Sequence, residues 1–268
     1  MGTSQSSSGS PSSVPFVPPW VPDVSEPGDE SNDGANNGEQ DTAIAPTGRW
    51  RGSRLNLGKF ARSGDAVDMR SGIGHYVRGL GGALSGTRRF GGTIKTADRL
   101  HGALSGLARE QPIEPSSPLD PALLKDRTVR EVLDAVIEAV RPVDGTQDSE
   151  ASRSSINDAL SELLERFPEA DLFQLSQEHR EFAIERFIAY DVYRRFNLDV
   201  GGAIKSKAPN ATVALSRLGE AKDYIRETVA TSFQKLRNAG QRLLSDIVTQ
   251  VINKSLRGAL VIFEEYVI

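Results

Sequence analysis

The chain has 268 residues, a net charge of −4, 38% hydrophobic residues and no cysteine. Without thiols there are no disulfides, thiolate zinc sites or cysteine nucleophiles, and with no signal-like start the expected compartment is the cytoplasm. No apolar run approaches the ~20 residues of a membrane span, and the longest such stretch, 258–263, reads as core. The mean charge hides three blocks. Residues 1–46 carry −7, residues 47–109 carry +9 and the remainder carries −6. Charge and composition together divide the chain into an acidic tail (1–46), a basic glycine-rich segment (47–110), a proline linker (111–118) and a core domain (119–268).

The head, 2–46, is Ser, Gly, Pro, Asn and acid, with seven carboxylates and no Lys or Arg. Its apolar surface is too small to offset the entropy of ordering, so disorder is expected. Pro15, Pro18, Pro19 and Pro22 favour polyproline II around Phe16 and Trp20, an extended form that loses little entropy when gripped. The cassette reads either as a docking segment for another protein or as a solvating tail with two stray aromatics. Gly2, once Met1 is removed, offers an unhindered amine. An α-amine titrates near ~8, far below a lysine, so much of it is neutral and nucleophilic in the cell. Met1-Gly2-x-x-x-Ser6 also fits the N-myristoylation pattern, which needs a eukaryotic enzyme.

Residues 47–109 hold fourteen of the 25 glycines and twelve Lys or Arg. The stretch 49–54 reads as a basic arm with an aromatic in it. Ile73, Tyr76, Val77, Leu80 and Leu84 then recur at helical spacing, with Gly72, Gly79 and Gly86 on another face of the same helix. Glycine in a helix costs about 1 kcal/mol relative to alanine, so such a helix needs close packing partners. The echo of 82–86 in 102–106, each Gly-Ala-Leu-Ser-Gly, suggests a helical hairpin bent at Gly91-Gly92. Arg49, Arg51, Arg54, Arg70, Arg78, Arg88 and Arg89 form a candidate basic binding surface. Its partner is an acidic protein, the chain's own head or nucleic-acid phosphates, while arginines and glycines interrupt every face a membrane would need.

Beyond the linker the pattern is helical throughout. Thr128-x-x-Glu131 is a capping box opening a helix over 129–140, ended by Pro142. Asp144-Gly145 turns the chain and Asp148 is the expected cap of a helix burying Ile156, Leu160, Leu163, Leu164 and Phe167. A helix over about 177–196 turns Phe182, Phe187, Ile188 and Val192 inward. After Gly201-Gly202, a long helix from Pro209 to about 239 carries Leu218, Ile225, Val229, Phe233 and Leu236. The last helix follows Gly240, and its wide apolar face, Leu243 to Leu260, belongs at a bundle centre or against a partner. Five helices on short connections imply an all-α, bundle-like domain.

No constellation in this pattern is catalytic. His75, His101 and His179 are scattered, and His179 with Glu178, Glu181 and Glu185 does not reproduce a zinc helix. The acids at 144, 148 and 150 lack the remaining ligands of a calcium loop. Gly81-x4-Gly86 lacks the lysine and preceding strand of a phosphate loop. Asp191, Tyr193, Arg194 and Arg195 read as a charged rim. No enzyme activity, cofactor or metal is expected.

The opening Met1-Gly2-Thr3-Ser4, Pro18-Pro19-Trp20, His75-Tyr76-Val77-Arg78 and Gly81-Gly82 resemble the QatB component of bacterial Qat anti-phage systems. So do 142–146, 159–167 and 191–196, spread in the same order over the chain. The resemblance implies an operon with a P-loop ATPase, a QueC-like enzyme and a TatD-like nuclease. QueC enzymes activate the carboxylate of 7-carboxy-7-deazaguanine with ATP, and ammonia attacks. An N-terminal amine in its place would yield a secondary amide, which cannot be dehydrated to a nitrile. Gly2 is thus the expected modification site, with Thr3, Ser4, Phe16, Pro18, Pro19 and Trp20 recognised by the partner. The alternative is a basic nucleic-acid-binding adaptor presenting phage DNA to the nuclease.

Overall fold

A computed structural model describes residues 48–108, 119–124, 126–244 and 247–267. Gly2, Thr3, Ser4, Phe16, Pro18, Pro19, Trp20 and the linker 111–118 lie outside these residues. The chain is all-α, and no strand occurs among the described residues. In order the helices are α1 (Arg51–Ser63), α2 (Ala66–Gly79), α3 (Gly82–Arg89), α4 (Gly91–Leu107), α5 (Pro121–Leu124), α6 (Val129–Val140), α7 (Gln147–Arg166), α8 (Gln177–Val200), α9 (Gly202–Lys207), α10 (Ala211–Asn238) and α11 (Val248–Glu264).

One apolar core joins the glycine-rich helices to the C-terminal ones, running from Leu57 and Phe60 through Phe187 and Phe196 to Leu260 and Phe263. Helix α11 lies at its centre, packed by α2, α3, α4 and α10. Helix α8 forms the second axis, flanked by α4, α7 and α10. The wide apolar face of the last helix is therefore covered from within the chain. Val251, Ile252, Leu256, Leu260 and Phe263 are all buried.

Glycine permits the close crossings. A Cβ at Gly72 would stand 2.7 Å from the Leu57 side chain, so α1 and α2 approach nearly backbone to backbone. One at Gly86 would lie 3.2 Å from Leu260, where α3 meets α11. The N-terminus of α3 is satisfied from across this contact, because the Ala83 N–H donates to the Glu264 carboxylate at 3.0 Å.

Local expectations fare unevenly. The capping box holds: Thr128 accepts from the Glu131 N–H and Glu131 accepts from the Thr128 N–H, contributing about 1 kcal/mol. The segment 49–54 is no arm, because it enters α1 directly and packs on the body. The single helix expected over 73–84 breaks at Gly81, whose φ of +91° ends α2 before α3 begins, and this leaves Leu84 half exposed. The bend expected at Gly91-Gly92 falls at buried Phe90, and α3 packs chiefly on α11 while α4 packs chiefly on α8, so the two form no hairpin. Asp148 is not the cap of α7. Thr146 is, accepting from the Ser149 N–H, and Asp148 sits in the first turn. Gly201 stays right-handed and leads into the short helix α9, and Asn210 caps α10. The last helix begins at Val248, several residues later than Gly240 suggests.

Candidate functional site

Four chain segments converge where the N-terminal head enters the body: the start of α1 and the C-terminal ends of α2, α3 and α8. Helix α2 ends at Gly79, so the Gly79 and Leu80 carbonyls lie past its last turn and are open to side-chain donors. Arginines fill that electronegative end. Arg49 Nε donates to the Gly79 carbonyl at 2.8 Å and Arg89 Nε to the Leu80 carbonyl at 3.1 Å. Trp50 stacks on Tyr76, ring centres 4.9 Å apart, and Arg49 lies over the Trp50 ring. Gly79 makes room for this, since a Cβ there would be 2.6 Å from the indole.

Tyr76 ties the corner to α8. Its ring meets Phe196 edge-on at 5.5 Å, and its hydroxyl donates to Asp199 Oδ2 at 2.9 Å. Burial pushes the Tyr76 phenol well up, helped by the Asp199 carboxylate beside it. Burial raises the Asp199 carboxyl as well, against the pull of Tyr76, Arg49 and Arg195. Arg89 is pushed down to about 10, first by desolvation and then by the neighbouring charge of Arg49. Arg54 reaches the Asp199 carbonyl at 3.4 Å. Arg51, Arg78 and Arg88 are solvent-exposed. Of the seven arginines read from sequence as a basic surface, Arg70 lies elsewhere. It sits over the Tyr224 and Tyr266 rings, at the junction of α2, α10 and the C-terminal end.

Beneath this corner lies an acidic centre that sequence reading took for a rim. Asp191 is fully buried. It accepts from Thr93 Oγ1 at 2.5 Å, Ser152 Oγ at 2.8 Å and Arg195 Nε at 3.2 Å, binding α4, α7 and α8 together. Arg195 also reaches Asp148 at 3.1 Å, which gives that first-turn acid its role. The missed signal was the placement of Asp191 among apolar positions of α8, between buried Ile188 and Val192, with Arg195 one turn on to pair with it.

A second polar layer lies where α8 meets α7 and α10. Glu185, buried, pairs with Arg237 at 2.9 Å, and burial raises its carboxyl despite that partner. Tyr190 donates to Glu162 at 2.6 Å, and Arg186 pairs with Glu162 at 3.2 Å. Glu181 is buried beside Arg242. His179 packs its ring on Phe167 at 4.6 Å. Among the described residues no group of His, Asp and Glu is placed to hold a metal ion, and no helix is long and apolar enough to cross a membrane.

These geometries hold helices in register and expose cations. A family model described as Qat anti-phage system associated protein QatB matches residues 81–263. The match contains the stretches 142–146, 159–167 and 191–196, the last of which carries Asp191 and Arg195. No curated protein and no solved structure matches the chain.

Proposed function

From a chain that belongs to the QatB family of Qat anti-phage systems, we propose a non-enzymatic defence component whose helical body carries the N-terminal head, with Gly2 as the acceptor for a QueC-like partner. The observation that carries this reading is the anchorage at Arg49 and Trp50. There the chain leaves the head and is held at once by the Gly79 carbonyl and the Tyr76 ring. A head rooted at one fixed point on a rigid body can be offered to a second protein while the body engages a third. The P-loop ATPase and the TatD-like nuclease of the operon are the candidates for that role. Attack of the neutral Gly2 amine on an ATP-activated carboxylate forms a secondary amide and expels the activating group, and the amine proton passes to solvent.

The test is the intact mass and N-terminal peptide mass of the chain from cells expressing its own operon. The expected adduct maps to Gly2, vanishes with an inactive QueC-like partner and is absent in Gly2→Pro. An unchanged adduct in that variant, or a bare Gly2 during active defence, overturns the reading. The exposed Arg51, Arg78 and Arg88 favour a second reading, an adaptor for phage DNA. That reading requires duplex binding whose affinity falls steeply with salt, the slope counting the phosphates neutralised.

A further inference from the structure

The arginine corner carries more cation than its own acids balance. Arg51, Arg54, Arg78 and Arg88 lie at or beside the converging helix ends, and none of the four is ion-paired with a carboxylate among the described residues. The carboxylates near them among the described residues are Asp148, Asp191, Asp199 and Glu264, the last of which accepts from the Ala83 N–H. Asp191 and Asp148 are both bonded to Arg195, and Asp199 is buried against Tyr76. Burial, and after it the neighbouring charge of Arg49, brings Arg89 down to about 10. Helix-end carbonyls compensate in part, but a dipole end is equivalent to only about half a charge. Such a surface attracts an anion, and the chain supplies one close by. Residues 23–41 hold Asp23, Glu26, Asp29, Glu30, Asp33, Glu39 and Asp41 without a single Lys or Arg.

We propose that this acidic stretch, 23–41, docks on the arginine corner of the same chain. The reach is short. Asp41 is separated from Gly48 by residues 42–47, which span at most about 20 Å when extended, and Gly48 precedes the Arg49–Trp50 anchor directly. A tether of this length gives an effective concentration of the order of millimolar, so weak surface pairs suffice for substantial occupancy. Exposed Arg51, Arg78 and Arg88 are the docking cations, and Arg54 and Arg89 flank them. The docking is electrostatic and reversible, with no apolar seat. It holds the middle of the head against the body and sets how far Gly2 and the Phe16–Trp20 cassette extend. This inference stands on the charge and position of the corner, whether or not Gly2 is modified.

The full chain is the sample, and its lack of cysteine makes a single label clean. Ser31→Cys carrying a nitroxide should broaden the amide signals of Arg51, Arg54, Arg78 and Arg88. The effect should be present in about 0.01 M salt, where charges act over ~30 Å, and lost in about 1 M, where they act over ~3 Å. The comparison chain replaces all seven acids of 23–41 by Asn or Gln, which leaves the folded body untouched, and should show the broadening abolished. Equal broadening in that chain overturns the proposal, because proximity would then follow from tethering alone. Broadening that arises only between labelled and unlabelled chains in a mixture overturns it in favour of a second copy. Absent broadening, with duplex DNA shifting the same amides equally in both chains, overturns it in favour of nucleic acid.

Discussion

Replacing Asp191 by alanine removes one carboxylate and strands three donors. Thr93 and Ser152 are buried, and their hydroxyls lose their acceptor. Arg195 keeps only Asp148, a largely exposed partner at 3.1 Å. Breaking a buried ion pair from one side costs about 3–5 kcal/mol, because the remaining charge stays desolvated. The two hydroxyls can recover part of their loss by turning to the carbonyl one helical turn back, as Ser155 already does to Ala151 at 2.8 Å. The expected loss is therefore about 4 kcal/mol, a large share of the ~5–15 kcal/mol that typical domains possess. For a body of this size that lowers the melting temperature by roughly 8–16 °C. Urea unfolding at neutral pH, with an unchanged slope and a lowered midpoint, measures it. Arg195→Leu made together with Asp191→Ala should cost no more than Asp191→Ala alone, since the one charge left unpaired, Asp148, is largely exposed. A single-variant loss below about 1 kcal/mol, or additive losses in the double variant, refutes the account of Asp191 as the tie between α4, α7 and α8.

Two further outcomes follow from the same geometry. Gly72→Ala drives a methyl to 2.7 Å from Leu57 and should destabilise by about 1–2 kcal/mol after the helix-propensity gain, whereas Gly102→Ala meets nothing within 4 Å and should stabilise by up to about 1 kcal/mol. Calorimetry ranks the pair, and equal signs would contradict the crossing of α1 on α2. Burial and the Glu162 hydrogen bond hold the Tyr190 phenol up at about 12, above the ~10 of an unfolded chain. The folded state keeps a proton that the unfolded state releases, so this contribution is complete below pH ~10 and lost as pH rises to about 12. Tyr190→Phe should make the fall of stability across that window shallower, and an unchanged slope would show that the Tyr190 phenol is not held up in the folded state.

The helices whose signals lie within a few residues of their ends could be read directly. Thr128 and Glu131 meet within one turn, and Pro142 forbids continuation by its own ring, so α6 was legible to the residue. The stripes of α7, α8 and α10 were legible for the same reason: apolar spacing of three and four is a property of the segment alone. Partnership across the chain was not. Asp191 is a rim residue or a buried tie depending on whether Thr93, almost a hundred residues earlier, lies against it. Trp50 looked like part of a loose arm because nothing local reveals that Gly79 clears a place for its ring beside Tyr76. The apolar face of α11 was visible, but only packing decided that α2, α3, α4 and α10 cover it rather than another protein. Composition placed seven acids before residue 46 and twelve cations just after it. Which arginines cap helix ends and which face water was settled by where the ends of α2, α3 and α8 converge, because burial and charge pairing depend on distance in space and not along the chain.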